Sequence, residues 1–369
     1  MRAISLLLLC LAASLATACL WDQDTLAEEA KNNMDYIRVI TGRFERNPPL
    51  YYKMRLERVA KELAVDPTNL DNYDNAAVAC DRLGDDGQAI VWIEKKRRFM
   101  ESDGLTVKAD PDSWYRYYSN AGTFHTHLWF HEGANRKNLK EIKRGRDLLE
   151  RALEINPQSH FGRERVQLAT INWVIDQEHP TLAEAFEIRD REESNANDAK
   201  GLAGLVLLGN AWESVDLFSA LQARLSLDGY GSLAQFAGLR ARELVAQGRK
   251  PIGEIETRTF EDYPFYHPDE TLAKFNEGEY KRLREEADQW ASKREAFMLS
   301  RLQSGKHPDT DAGFWTGYKE DPAASIRTQP YLASPRGRSA LGAASFFTVI
   351  GLIIIVPVIL VVRRMRRVR

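Results

Sequence analysis

Residues 66–101 read DPTNLDNYDNAAVACDRLGDDGQAIVWIEKKRRFME, and this stretch decides the fold. It begins with a cluster of turn-forming residues, Asp-Pro-Thr-Asn, which favours a bend in the chain. Two segments of helical length follow, at 70–83 and 86–100, and their apolar residues recur every three or four positions. Gly84 lies between them, where a tight helix end favours glycine. The stretch therefore predicts two short helices joined by a turn.

The same pattern continues along most of the chain, whereas the alternation of apolar and polar residues that marks a strand is absent from the sequence. A long charged helix is expected to end near Leu302. The sequence thus predicts an all-α fold made of successive helical hairpins. Besides the two helices above, we expect helices at 50–64, 112–131, 138–155, 161–176, 181–193, 199–209, 212–225 and 232–247.

Residues 70–100 resemble a tetratricopeptide (TPR) repeat, a helix–turn–helix unit of about 34 residues. Pro67 matches the proline that closes one unit before the next begins. Lys96 departs from the family pattern, because alanine is usual at its position. The resemblance implies a TPR-like solenoid of helical hairpins and a role in binding other proteins, without any catalytic activity. In its register the packing positions are Tyr73, Ala77, Cys80, Gly84, Ala89 and Ile93.

The C-terminal end predicts a membrane anchor. Residues 339–362 contain no charged side chain and are long enough to cross a bilayer as one helix. The tail that follows, 363–369, contains five arginines, which favours a cytoplasmic C-terminus. Residues 304–338 are rich in proline, glycine and charge, so we expect a flexible stalk between the helical domain and the membrane.

The N-terminal end predicts export. Residues 1–18 combine a basic start, a short apolar run and small residues before a cleavage point, as in a signal peptide. Cys19 follows directly and resembles the lipid-modified cysteine of a bacterial lipoprotein, although the usual leucine three residues earlier is missing. Two outcomes stay open: lipidation of Cys19 or ordinary cleavage after Ala18. The helical domain, 19–303, is then extracytoplasmic.

Composition narrows the possible partners. The whole chain has a formal net charge of −2, with 53 acidic residues. All of these acids lie between the two predicted membrane-targeting ends, whereas Arg2 and the tail arginines lie outside that region. The extracytoplasmic part is therefore acidic, which argues against nucleic acid as a partner.

Three aspartates are candidates for binding a partner. Asp71, Asp74 and Asp81 fall on the first helix of the TPR-like unit, at positions that often face the concave groove of such repeats. Carboxylates there would accept hydrogen bonds from lysine or arginine. The resemblance therefore implies a groove that binds a basic peptide.

A second set of residues suggests a weaker, metal-binding hypothesis. His127 and His131 are four residues apart and share one face of a helix, a spacing that can hold zinc or copper. Packed or solvated histidines explain the same spacing without a metal. The metalloprotease pattern is absent from the sequence because Glu132 follows the second histidine. We therefore predict no cofactor and no catalytic residue.

Together these features predict a single-pass membrane protein whose extracytoplasmic domain is an interaction scaffold or assembly factor. Its expected partners are envelope or membrane proteins, and a bacterial envelope is the preferred setting. A metal-dependent enzyme and an envelope tether held by a lipidated Cys19 are the alternatives. Nothing in the sequence fixes the oligomeric state.

Overall fold

The computed structural model describes residues 20–25, 35–157, 163–186, 198–208, 211–253 and 270–327, and this part of the chain contains helices and no strand. The all-α prediction is therefore confirmed for the described residues. The helices, numbered in chain order, are α1 Tyr36–Thr41, α2 Pro49–Val65, α3 Leu70–Arg82, α4 Asp86–Ser102, α5 Pro111–His131, α6 Lys140–Ile155, α7 Arg163–Asp176, α8 Asp198–Leu208, α9 Val215–Leu227, α10 Gly231–Ala246 and α11 Glu270–Gln303.

Helices α3 and α4 form the hairpin that the sequence predicts at residues 70–100. The side chain of Asn69 accepts a hydrogen bond from the backbone of Asn72 and caps α3, and Asp85 caps α4 in the same way. Gly84 joins the helices with a φ of +79°, a conformation that glycine adopts without strain. The other packing positions of the predicted repeat are buried: Tyr73, Ala77, Cys80, Ala89 and Ile93.

Helices α5 and α6 form the next hairpin and cross at two glycines. A methyl group on Gly145 would lie 2.7 Å from the carbonyl oxygen of Gly122 and 2.4 Å from Oγ1 of Thr126. A methyl group on Gly122 would meet Gly145 just as closely, at 2.9 Å. The two backbones therefore approach closely because neither residue has a side chain.

Most helices pack chiefly against their neighbours in the chain, whereas α1 packs on α8 and α10. Helices α9 and α10 form a further hairpin, and α7 packs on α8. The 34-residue α11 contacts α10, α1 and α2. Its inward stripe includes the buried Leu283, Ala287, Trp290 and Met298. The helix ends at Gln303, close to the end near Leu302 that the sequence predicts.

Residues 304–327 fold back onto the helices, which corrects the expected start of the flexible stalk at residue 304. Phe314 is buried, and His307 donates from Nε2 to the carbonyl oxygen of Tyr51 at 3.1 Å. The ring of Trp315 stacks on Phe297 of α11, with the ring centroids 5.7 Å apart. The composition of this segment does not predict these contacts, because only a few aromatic residues and one histidine make them.

Several predicted segments lie outside the described residues. They are the signal peptide at 1–18, the lipidation candidate Cys19, the remainder of the stalk at 328–338, the spanning helix at 339–362 and the tail at 363–369. Among the helices that the structure does describe, none combines the length and the apolar character needed to cross a bilayer.

Candidate functional site

The first helices of three successive hairpins, α3, α5 and α7, form an inner layer held by buried polar pairs. Asn120 of α5 donates to Asp74 of α3 at 3.1 Å. Farther along the layer, Tyr115 of α5 donates its hydroxyl proton to Glu164 of α7 at 2.6 Å. Buried hydrogen bonds of this kind fix the register of neighbouring helices, because an unpaired polar group in the interior is costly.

The chain's own N-terminal segment, residues 20–25, lies on this inner layer. Asn120 accepts a hydrogen bond from the backbone N–H of Trp21 at 2.7 Å and donates one to the carbonyl oxygen of the same residue at 3.1 Å. Asn75 of α3 accepts from the backbone N–H of Gln23 at 3.2 Å. Leu20 and Trp21 are buried. The inner layer thus already binds a peptide backbone, and that backbone belongs to the same chain.

Asp74 is not available to a basic partner, which corrects one part of the predicted groove. It is 2% exposed and forms an ion pair with Lys96 of α4, with 2.6 Å between Oδ2 and Nζ. Burial raises the pKa of Asp74, and the Lys96 ammonium opposes that rise. Lys96 therefore has a structural role: the lysine crosses the hairpin and neutralises a buried carboxylate.

The other two predicted groove residues differ in exposure. Asp81 is 2% exposed and is bonded to His127, so the expectation that it faces an open groove is corrected as well. Asp71 remains largely exposed and pairs with Arg116 of α5 at 2.8 Å. Only one of the three aspartates therefore lies at the surface.

Arg55 of α2 joins both ends of the described chain to the helical array. Its guanidinium is fully buried and donates to Asp24 of the N-terminal segment at 2.9 Å and to Asp309 of the C-terminal segment at 2.8 Å. It also lies 3.1 Å from Asp22. Burial would raise the pKa of Asp309, but hydrogen bonds from His307 and Arg55 hold that pKa well below its usual range. We name this group the Arg55 hub: Arg55, Asp22, Asp24, Asp309 and Tyr51.

A cavity of about 490 Å³ adjoins the Arg55 hub, between the N-terminal segment, the α1–α2 connection, the end of α8, and α11. We call it the central cavity. Its walls combine aromatic rings with charged side chains, as ligand-binding cavities commonly do. The lining includes Asp22, Asp24, Phe44, Glu45, Arg46, Tyr52, Arg82, Leu207, Trp212, Glu213, Arg294, Pro308 and Trp315.

The acids of the central cavity are already partly neutralised by cationic partners. Glu45 pairs with Arg38 at 2.5 Å, and Glu213 pairs with Arg249 at 2.6 Å. Asp22 and Asp24 share the one guanidinium of Arg55 with Asp309, so their charge is compensated in part.

The arginines of the central cavity lack such neutralisation. Arg46 lies over the ring of Trp212, 5.1 Å from its centroid, and Arg294 lies over Trp315 at 4.6 Å. Arg82 donates to the carbonyl oxygen of Leu208 at 2.7 Å. Within the described ranges none of the three arginines has a carboxylate at ion-pair distance. Burial, together with the neighbouring Arg284, lowers the pKa of Arg46, and the carboxylates of Asp288 and Glu213 oppose that effect. An anion bound in the cavity would add to their effect.

The two histidines singled out in the sequence lie in a cluster of acids. His127 bonds through Nδ1 to Asp81, and His131 bonds through Nδ1 to Asp86 at 2.6 Å. Asp86 is the first residue of α4, so the cluster joins α3, α4 and α5. His131 is partly exposed, whereas His127 is fully buried. His125 lies apart from them and bonds to Glu141 at 2.7 Å.

The environment of Cys80 makes its thiol unreactive. It is a buried free thiol, and burial, with Asp85 nearby, raises its pKa to about 12. A thiol of such high pKa is a poor nucleophile at neutral pH.

Several residues of the site were not predicted from the sequence. Burial of Arg55 could have been predicted, because the i, i+4 spacing places it on the same face of α2 as the buried Val59. No pattern in the sequence indicates a role for Asn120, Trp212 or Asp86, because their partners are distant in sequence. No protein-family model, curated protein sequence or solved structure matches this chain.

Proposed function

We propose that this chain is an interaction protein of the cell envelope, built on TPR-like helical hairpins and binding an acidic segment of another protein in the central cavity. In this proposal the hairpin domain is extracytoplasmic and the segment 339–362 anchors it as a single membrane helix. The protein performs no chemistry of its own, and its role is to hold or assemble partner proteins.

The observation that carries the proposal is the charge of the central cavity. Each of its acids has a cationic partner within the protein, while Arg46, Arg82 and Arg294 face it with no carboxylate at ion-pair distance in the described part of the chain. Arginine donates two parallel hydrogen bonds to a carboxylate, which makes it suited to acidic peptides. The adjacent rings of Trp212 and Trp315 would accept apolar side chains of the same peptide.

The charge preference of the proposed partner is the reverse of that suggested by the sequence. A basic peptide was expected because of Asp71, Asp74 and Asp81, but two of these carboxylates are buried and paired. The inner layer is moreover occupied by residues 20–25, which take up its backbone hydrogen bonds. An acidic partner in the central cavity fits both facts.

Selection from a library of random twelve-residue peptides tests this proposal. We expect the full-length chain in detergent to enrich peptides with net negative charge and an aromatic residue. Combined Arg46→Glu and Arg294→Glu substitutions should weaken binding of an enriched peptide by more than about tenfold, or 1.4 kcal/mol, in fluorescence anisotropy. Enrichment of basic peptides, or no enrichment, would contradict the proposal.

Lys53→Glu is the matched control for the charge reversal. Lys53 is an exposed residue on α2 and does not line the central cavity. Arg46→Glu, Arg294→Glu and Lys53→Glu, each made singly, change the charge by the same amount, so a general electrostatic effect would appear in all three. We expect Lys53→Glu to leave the affinity for the acidic peptide almost unchanged.

A further inference from the structure

The histidine–aspartate cluster has the composition of a metal site. Asp81 comes from the end of α3, Asp86 from the start of α4 and His127 from α5. One potential ligand atom of each residue lies within 4.8 Å of the other two. Donors around a tetrahedral zinc ion are about 3.4 Å apart for bonds of about 2.1 Å, so small side-chain rotations would bring these atoms to coordination distance.

Each of the three residues keeps one buried polar atom without a hydrogen-bond partner in the described structure. These atoms are Oδ2 of Asp81, Oδ1 of Asp86 and Nε2 of His127. All three residues are at least nine-tenths buried, with exposures of 2%, 4% and 0%. Buried polar groups are seldom left unpaired, and the two orphaned carboxylate oxygens in one cluster indicate a missing ligand.

The remaining atoms of the cluster orient the ligands. Nδ1 of His127 and the carboxylate of Asp81 already face each other, so an ion bound by both would take the place of the hydrogen bond between them. His131 holds Asp86 from outside the cluster through Nδ1, at 2.6 Å. Histidines and carboxylates that bind metals are commonly held by such outer partners, which fix the ring orientation and the rotamer.

We propose that Asp81, Asp86 and His127 bind a divalent transition-metal ion, zinc in the first instance, with His131 positioning Asp86. The ion balances two buried carboxylates and gives their orphaned oxygens a partner. A mixed set of imidazole and carboxylate ligands suits zinc better than calcium or magnesium, which prefer oxygen ligands alone.

The position of the site makes the ion a structural clamp. It would tie the first hairpin, α3–α4, to α5 of the next one. The ligands are buried, and only His131 gives the cluster an edge toward solvent. This inference is independent of the proposed partner binding, because none of the cluster residues lines the central cavity.

Metal content of the full-length chain tests the proposal directly. The protein would be expressed with added zinc, purified in detergent without chelator and measured by inductively coupled plasma mass spectrometry. We expect about one equivalent of zinc per chain, and recovery of about one equivalent when chelator-treated protein is titrated with zinc against a chromogenic indicator. Less than about a tenth of an equivalent in both measurements would overturn the proposal.

Conservative variants locate the ion. Asp86→Asn and His127→Gln should each reduce bound zinc by more than tenfold, whereas His125→Gln, a substitution on the same helix outside the cluster, should retain it. Circular dichroism would confirm that each variant is folded. If His127→Gln does not fold, Asp86→Asn and the zinc titration of the unchanged protein decide the matter. Full zinc content in folded Asp86→Asn would also overturn the proposal.

Discussion

Replacing Arg55 by methionine should destabilise the protein more than any exposed ion-pair substitution. The guanidinium of Arg55 is fully buried, and the carboxylates of Asp22 and Asp309 are each 3% exposed. Methionine keeps much of the side-chain volume and removes the charge, so two buried carboxylates lose their shared cation. Breaking a buried pair by removing one partner costs about 3–5 kcal/mol.

The assay is urea unfolding of the full-length chain in detergent, followed by circular dichroism. We expect Arg55→Met to lower the free energy of unfolding by about 3–5 kcal/mol. Limited proteolysis should also cut the variant faster near residues 20–25 and 304–327, because Arg55 joins both segments to α2. Adding Asp22→Asn should recover part of the loss, because Asp22 loses its ion pair with Arg55, whereas Asp309 keeps the pair with Arg58.

Arg58→Met is the matched control. Arg58 pairs with Asp309 at 2.7 Å and lies one turn from Arg55, but its side chain is 26% exposed. An ion pair with such access to solvent contributes only about 0–1 kcal/mol. An Arg55→Met loss of less than about 1 kcal/mol, or one equal to that of Arg58→Met, would refute the reasoning.

Three further predictions concern other parts of the fold. Gly145→Ala should cost about 1–3 kcal/mol in urea unfolding, because the new methyl group meets the α5 backbone, whereas Gly87→Ala, with open space, should be neutral or stabilising. Lys96→Met should cost about 3–5 kcal/mol, and adding Asp74→Leu should recover most of that loss; an equal loss in the double variant would contradict a buried ion pair. Burial raises the pKa of Asp216 from 3.8 to about 6, so the folded state binds its proton more tightly and stability falls as pH rises from about 4 to 6. Asp216→Asn should remove about 3 kcal/mol of that fall in the free energy of unfolding, measured by urea unfolding at pH 4, 5, 6 and 7. The same pH dependence in both proteins would contradict the raised pKa of Asp216.

The helices could be predicted from the sequence because their signals are local. The hairpin at residues 70–100 follows from a turn, two apolar stripes and one glycine, and the structure places α3 and α4 there. Buried small residues such as Ala77 and Ala89 likewise follow from the repeat-like register. Neighbouring residues determine such features, so one chain suffices to predict them.

The site could be predicted only in part, because its partners are distant in sequence. The sequence predicts Asp74 to be a surface acid, whereas in the structure Lys96 and Asn120 lie beside it. The occupation of the inner layer by residues 20–25 depends on the whole fold and has no local signal. His127 and His131 were recognisable by their spacing, but Asp81 and Asp86 join them only through the turn that links α3 to α4.

Site-specific photo-cross-linking in living cells tests the central claim most directly, that the central cavity binds a partner protein. A photoreactive amino acid would replace Leu207, which lines the cavity, and Val65, which is 87% exposed at the end of α2. We predict a defined adduct from position 207 that is absent from position 65 and disappears when Arg46→Glu and Arg294→Glu are added. Identical adducts from both positions, or no adduct from position 207, would contradict the account.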